Sequence, residues 1–470
     1  MKKLVPIFIL LFSQIANAQL PAPVLSELKK IGVPPENVSV YVQALAEQPA
    51  LLNPALLEHQ STTALNLAST MKLLTSYASL SLLGPAYRWK TEIYIDGPLQ
   101  NGVLNGNLYI KGYGDPSFST DDFSRLLNRL RQFGVQEIKG DLIIDNSYFA
   151  SKASAPGSFD GEFARAYNAT PSAFLLNQKT SSFRFDADTD QVTISMEPEL
   201  REITVNNLLK LGKADCASWR NAISYDVKQQ DGLATVTFNG VYPANCTEKY
   251  LELLALDESS FDYHLFRKTW KALGGDFNGK IRMQAVPPNA SKLLQQDSKT
   301  LAQILPDMNK WSNNLMARQM LLTIAAERVA IPATEENGAL AVKQWLNTQD
   351  LKFDELVIEN GSGLSRIERI SAQHLGQMLT HAYYSPVMPE LIGSLPIAAL
   401  DGTMQRRLQN SMLQGRAHLK TGTINGVYTL AGYVLGQQGE RYVVVFMANH
   451  AKAAYTKPAQ DALLEWIYSR

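Results

Sequence analysis

The sequence predicts an α+β protein in which one region, residues 19–86 and 284–470, is interrupted by a large α+β insertion, residues 87–283. Three observations carry this. An apolar segment at helical spacing runs from Leu67 to Leu83 and stops at Gly84-Pro85. From about Tyr87 the texture changes to short strand-like runs bounded by Gly, Asn and Asp. The last third turns helical and then closes with three strand-like runs.

Taken in order, Val38 to Leu45 alternates as a strand does, and Leu67–Leu83 follows as a helix. Thr91–Asp96, Gly106–Lys111 and Gly140–Asp145 read as strands, with an amphipathic helix, Asp121 to Phe133, between the last two. Ser182–Phe185 and Gln191–Met196 form a hairpin around Asp188-Thr189-Asp190, and Ala234–Asn239 is another strand. These place a nested sublobe at about residues 178–250. Helix is expected from Leu301 to about Arg328, and again over Ala339–Thr348 and Ser371–Ala382. Strands follow at Ala417–Thr421, Tyr428–Leu435 and Tyr442–Asn449, the last two joined through Gly436-Gln437-Gln438-Gly439. A final helix spans Pro458 to Tyr468.

Of 470 residues, 45 % are hydrophobic, enough for sizeable cores in more than one domain. Lys+Arg and Asp+Glu are equal at 44 each, so no basic bias points to nucleic acid and no charge run marks an interaction tail. Lys2 and Lys3, the apolar run Leu4–Phe12 and Ala16-Asn17-Ala18 read as a secretory signal peptide, residues 1–18, cut after Ala18; a first buried helix is the structural alternative. No Cys follows the apolar run, which excludes a lipoprotein anchor, and no stretch has the ~20 apolar residues of a membrane span. The expected product lies outside the cytoplasm.

The cysteines, Cys216 and Cys246, are 30 residues apart. An even count in an exported chain suggests a disulfide, with two free buried thiols as the alternative. The histidines (His59, His264, His374, His381, His418 and His450) form no metal-binding pair, so no metal and no cofactor is expected.

Ser69-Thr70-Met71-Lys72 is an S-x-x-K, and at i and i+3 on a helix the Ser and Lys share a face. A hydroxyl needs a base to become a nucleophile. A lysine serves if burial and a nearby cation lower its pKa, and the apolar neighbours of Lys72 suit such burial. Alone the motif occurs by chance in many chains. Ser312-Asn313-Asn314 is an S-x-N at the head of a helical segment beginning near Trp311; its simple reading is a Ser N-cap and its chemical reading a proton relay plus an amide that holds substrate. Lys420-Thr421-Gly422 is a K-T-G on a strand. Its simple reading is an edge strand with a Gly bulge. Its chemical reading is positive charge, a carboxylate-binding hydroxyl and a close backbone approach. The order S-x-x-K, S-x-N, K-T-G is the signature of penicillin-binding proteins and serine β-lactamases.

Spacing narrows the resemblance. Ser69 and Ser312 lie 243 residues apart, and Ser312 and Lys420 lie 108 apart, so a large insertion separates the first two motifs. With ASTMKLLTSYASL, GDLIIDNSYF, GNLYIKG, GDPSF, NGSGLSR, SLPIAALDGTM and HLKTGTINGVYTLAGYV, the chain resembles the low-molecular-mass class C penicillin-binding proteins, the D-alanyl-D-alanine carboxypeptidase/endopeptidases, over nearly its whole exported length. The resemblance implies a transpeptidase/serine β-lactamase-like domain, a five-stranded antiparallel sheet flanked by helices, carrying the insertion. It implies periplasmic action on peptidoglycan stem peptides, with β-lactams as covalent inhibitors. It implies Ser69 as the acylated nucleophile, Lys72 as its base, Ser312 and Asn314 as proton shuttle and peptide ligand, and Lys420 as electrostatic support. Thr421 and Thr423 would hold the terminal carboxylate beside Gly422, and the N–H groups of Ser69 and Thr423 would form the oxyanion hole.

It also implies a pocket for the diaminopimelate side chain, an ammonium and a carboxylate on one carbon. Glu162 and Tyr167, five residues apart before Ala169-Thr170-Pro171, match the acid and aromatic, and Arg366 in NGSGLSR matches the carboxylate-binding arginine. The alternative is that Glu162 and Arg366 are solvated and Tyr167 is core. Two departures stand out: Asn313 where Asp is usual, at a position not expected to touch substrate, and Thr423 after the K-T-G. Two other readings stay open. A class A β-lactamase needs an E-x-x-L-N carboxylate, and Glu390-Leu391-Ile392-Gly393 lacks its Asn. A non-catalytic wall-binding scaffold has no need to keep a base beside a nucleophile. Oligomeric state is left open, a homodimer included.

Overall fold

The computed structural model describes residues 19–46, 54–150, 157–213 and 215–470; the signal-peptide reading lies outside them. The architecture is α+β. Its organising element is a five-stranded antiparallel sheet in the order Ala55–His59, Val38–Ala44, Arg441–Asn449, Val427–Leu435, Ala417–Ile424. Successive side chains on a strand face opposite sides. Val38, Val40 and Val42 therefore enter a core with Val444, Phe446 and the helices Ala22–Ile31 and Lys457–Tyr468. Tyr41, Val443, Val445 and Met447 join the core on the other face, with the helices Met71–Leu83, Leu301–Lys310 and Ala372–Tyr383. Helices on both faces explain why Val38–Ala44 is buried at every position but its last. Met71–Leu83 is buried through most of its length, as befits a helix apolar nearly all round.

The chain leaves this domain after Met71–Leu83 and forms a mixed sheet in the order Ile281–Met283, Leu142–Asp145, Leu108–Gly112, Arg88–Ile95, Ser291–Thr300. Leu108–Gly112 and Leu142–Asp145 run parallel, joined through the helix Thr120–Gln132. A capping box between Ser119 and Asp122 starts that helix, and Phe123, Leu126, Leu127 and Leu130 are its buried face. Ser291–Thr300 pairs with Arg88–Ile95, so this layer extends past the boundary expected at 283/284. The hairpin expected near Asp188 is present as Ser181–Ala187 and Val192–Glu197, and Lys249–Leu253 completes its sheet. A second three-stranded sheet pairs Ile203–Gly212 in parallel and Ile223–Gln230 antiparallel with Leu233–Pro243. Cys216 and Cys246 are disulfide-bonded beside it.

The helical stretch expected from Leu301 to about Arg328 is two helices, Leu301–Lys310 and Asn314–Arg328; the second begins close to the helix head expected near Trp311, and Ser312 between them is left-handed at φ 58°. The second fastens the inserted layer along its length. Leu315 packs with Ala169, Leu175 and Leu254, while Leu322 and Ala325 pack with Tyr148, Phe149 and Ala173. The buried Gln319 amide donates to the carbonyls of Gly114 and Ser172, at 3.2 and 2.8 Å, and accepts from the N–H of Ser172. Trp89 donates to Thr323 at 2.8 Å, and the hydroxyls of Tyr87 and Tyr148 both donate to Glu327 at 2.8 Å. No helix among the described residues is long and apolar enough to cross a membrane.

Candidate active site

Ser69 lies in a 3-10 turn, Ala68–Thr70, that leads into the helix Met71–Leu83. The turn is held from outside. The Asn449 side-chain amide holds the Asn66 backbone at both ends, accepting from its N–H at 3.1 Å and donating to its carbonyl at 2.9 Å. Asn66 Oδ1 accepts from the Ala68 N–H at 2.9 Å, and the hydroxyls of Thr70 and Thr429 both donate to the Leu67 carbonyl. Two glycines flank the turn. A Cβ on Gly363, at φ 84°, would lie 1.9 Å from the Ala68 carbonyl oxygen, and one on Gly422 would lie 2.8 Å from the Ser69 nitrogen.

One turn on, Lys72 is fully buried, with its Nζ 3.1 Å from Ser69 Oγ. The Nζ also donates to Asn314 Oδ1 at 2.6 Å and to the Ser362 carbonyl. Burial, and secondarily the Lys420 charge, push its pKa well below the ordinary lysine value, with Glu368 pulling the other way. A neutral amine has two N–H bonds and one lone pair. The atoms that face Nζ from these two residues, Asn314 Oδ1 and the Ser362 carbonyl oxygen, are acceptors, so a neutral amine gives them both N–H bonds and keeps its lone pair for the Ser69 hydroxyl. That arrangement can withdraw a proton from Ser69.

The S-x-N is not capped by its serine. Asn313 is the N-cap, accepting from the Met316 N–H at 3.0 Å. The Ser312 hydroxyl is thereby free to accept from Lys420 Nζ at 2.9 Å. Lys420 is also fully buried, which alone pushes its pKa down to about 7, and it donates to the Thr421 carbonyl at 2.8 Å. Its strand, Ala417–Ile424, stands at the sheet edge with unbroken register against Val427–Leu435, so the K-T-G has the edge position but no bulge. Thr421 bonds Thr403 through their hydroxyls at 2.9 Å, and Thr423 is exposed beside the buried Gly422.

The structure thus gathers Ser69, Lys72 and Asn314 into one hydrogen-bonded group and Ser312 with Lys420 into a second. The outer residues lie apart. Arg366 is exposed, donates to the Asn425 carbonyl at 3.2 Å, and sits 4.4 Å over the Phe159 ring. The Tyr167 hydroxyl donates to Asp160 at 2.8 Å. The half-exposed Glu162 carboxylate lies 3.6 Å from Arg165 Nε, beside a cavity of about 230 Å³ that Arg220 and Tyr225 also line. No hydrogen bond or ion pair joins Glu162 to Tyr167 or Arg366 among the described residues. Nor do these contain a cluster of three or more His, Cys, Asp or Glu side chains able to hold a metal.

One site residue carries no motif signal. Glu368 is fully buried, and its carboxylate accepts from the N–H groups of Glu359, Asn360, Gly361 and Gly363 at 2.8–3.0 Å. Burial raises its pKa while those four bonds oppose the rise. It therefore shapes the loop whose Ser362 carbonyl meets Lys72 and whose Gly363 backs the Ala68–Thr70 turn. Only its place two residues after Arg366 could have drawn attention to it.

Residues 26–469 match the model of the D-Ala-D-Ala carboxypeptidase 3 (S13) family. Among curated relatives, D-alanyl-D-alanine carboxypeptidase DacB of Haemophilus influenzae is 26 % identical, over 84 % of this chain and 83 % of that protein. The D-alanyl-D-alanine carboxypeptidase of Actinomadura sp. (strain R39) is 28 % identical, over 84 % and 75 %. The crystal structure of penicillin binding protein 4 (dacB) from Haemophilus influenzae superposes with a TM-score of 0.77 at 25 % identity, covering 95 % of this chain and 99 % of that one. A crystal structure of the same protein complexed with a β-lactam gives 0.74, covering 96 % and 100 % at 25 % identity.

Proposed function

The chain belongs to the D-Ala-D-Ala carboxypeptidase 3 (S13) family, and on that premise we propose that it is a serine D-Ala-D-Ala carboxypeptidase that also cleaves D-Ala–diaminopimelate crosslinks through an acyl-enzyme on Ser69. The observation that carries the reading is the triple engagement of Lys72 by Ser69, Asn314 and Ser362. An enzyme needs that arrangement and a wall-binding scaffold does not.

In this reading the neutral Lys72 amine takes the Ser69 proton as Oγ attacks the carbonyl of the penultimate D-Ala. The N–H groups of Ser69 and Thr423 meet the developing oxyanion. The C–N bond breaks as the proton passes by way of Ser312 to the departing amine, and water later releases the acyl group. The segment Pro396–Ala398 bonds the outer edge of this strand as far as Leu419, and beyond it the edge at Lys420–Ile424 suits an extended peptide adding as a further strand. Thr421 and Thr423 then face the terminal carboxylate, with the Lys420 charge beside it. In a crosslink the departing amine sits on the D-centre of diaminopimelate, which also bears a carboxylate, so one site serves both bonds. In the acyl-side stem the diaminopimelate side chain ends in a free ammonium and carboxylate on one carbon; that carboxylate reaches Arg366 and the ammonium meets Glu162 beside Tyr167. Action in the periplasm on stem peptides, and covalent inhibition by β-lactams, follow from the same reading.

A serine β-lactamase would need a carboxylate to activate the deacylating water. Glu368 is buried beside the site, and its lone pairs already serve four backbone N–H groups. Release of D-Ala from diacetyl-Lys-D-Ala-D-Ala tests the proposal. The native chain should turn it over, and folded Lys72→Ala should do so at least ~10²-fold more slowly. Equal rates would transfer the base role away from Lys72, and no turnover by the native chain would remove the carboxypeptidase reading.

A further inference from the structure

We propose that the inserted region positions the second motif for acyl transfer, and that Gln178 is the side chain through which it does so. The inference rests on the acyl-transfer reading above. Asn177, Gln178 and Lys179 all stand in the left-handed region, at φ 49°, 53° and 59°. Three successive non-glycine residues there are disfavoured by the clash of Cβ with the backbone, and persist only where surroundings over-determine them. The surroundings do so. Lys179 is buried, with its Nζ 2.6 Å from both carboxylate oxygens of the buried Asp262. The Asn177 N–H donates to the Phe118 carbonyl at 2.8 Å, and its side chain donates to the Thr180 carbonyl at 3.0 Å. Every anchor belongs to the inserted region.

From this fixed turn Gln178 reaches out, and its Oε1 accepts from Asn313 Nδ2 at 2.9 Å. The Asn313 amide is therefore used at both ends, its oxygen capping the helix at Met316 and its nitrogen held by the insertion. The two flanking residues are the ones that meet the lysines: Ser312, left-handed at φ 58°, faces Lys420, and Asn314 accepts from Lys72. A shift of Asn313 would move both. Gln178 touches no reacting atom. It acts through Asn313, as a positioning residue.

A four-member cycle in the full chain tests this: native, Gln178→Glu, Asn313→Asp, and both together. The first single variant keeps an acceptor for Asn313. The second is met by a Gln178 amide turned to donate. The double variant sets two carboxylates against each other. Second-order acylation by a fluorescent penicillin should stay within about threefold in each single variant and fall by at least ~10-fold in the double variant, a coupling no sum of single effects yields. With diacetyl-Lys-D-Ala-D-Ala the loss should fall on kcat with KM held. Gln178→Ala, which opposes no charges, should give a smaller loss of the same kind. An additive cycle, a coupling confined to the melting temperature, or native acylation in Gln178→Ala would overturn the inference. Failure of the native chain to acylate at Ser69 would instead overturn the reading on which it rests.

Discussion

Gly363 backs so closely onto Ala68 that a Cβ at position 363 would lie 1.9 Å from the Ala68 carbonyl oxygen and 2.6 Å from the Ser69 nitrogen. The turn that presents Ser69 is thus clamped between two backbones that come from far apart in the chain. Gly363→Ala should push that turn aside, and its φ of 84° adds backbone strain. The expected loss of acylation is on the order of 10²-fold, typical of an ångström-scale misplacement at a reacting centre. Measured acylation within threefold of native would contradict the clamp.

Glu368→Gln tests the scaffold behind it. The carboxylate accepts four N–H bonds, and an amide has one oxygen and one donor in its place, leaving at least one buried N–H facing another donor. The expected destabilisation is about 2–3 kcal/mol by chemical denaturation. Glu368→Asp, one methylene short, should not restore it. An unchanged midpoint would mean the loop holds its shape without the acid.

The acid limb of acylation should follow Lys72, which acts only when neutral, so the rate climbs as pH rises through its lowered pKa. Lys420 lowers that pKa through its charge and Glu368 raises it. Lys420→Met should therefore move the limb to higher pH, and Glu368→Gln to lower pH. Stability moves the other way for Lys420. Its folded pKa, about 7, lies below the ordinary 10.5, so the unfolded chain binds the extra proton and stability falls as pH drops from 10.5 towards 7. Lys420→Met should melt higher than native at pH 7, with the gap closing towards pH 10. A gap that is constant with pH would contradict a buried Lys420 whose folded pKa lies below the ordinary lysine value.

The three motifs were legible because their chemistry is written in residue types at short, fixed spacing. Apolar periodicity likewise announced the helix Met71–Leu83 and the three closing strands. A helix head near Trp311 was legible in the Ser-Asn-Asn run, but not that Asn313 rather than Ser312 caps it, nor that Gln178 holds the Asn313 amide. Glu368, Asn449 and Gln178 share this character: each acts on backbone or side chain distant in sequence, and no local pattern reports such a partner. The helix Glu258–Ala272 is a different case. Its Asp257 cap and the spacing of Phe261, Leu265, Phe266 and Trp270 do carry a local signal that the reading by strands passes over.

Substrate choice turns on the outer residues. Glu162→Ala should weaken turnover of diaminopimelate-containing peptides by about 1.5–3 kcal/mol, as for a hydrogen bond to a charged group, and leave diacetyl-Lys-D-Ala-D-Ala nearly unaffected. The pairing of Glu162 with Arg165 and of Tyr167 with Asp160 makes Asp160→Ala the companion variant. Equal losses on both substrates would assign these acids to the fold of the insertion.

The central claim, a nucleophile at Ser69 activated by Lys72, is tested most directly by mass spectrometry of the whole protein after exposure to labelled penicillin, followed by peptide mapping. The account predicts a mass gain of one drug molecule, a label confined to the peptide carrying Ser69, and no gain in Ser69→Ala. A label on any other residue, or an undiminished gain in Ser69→Ala, would contradict it.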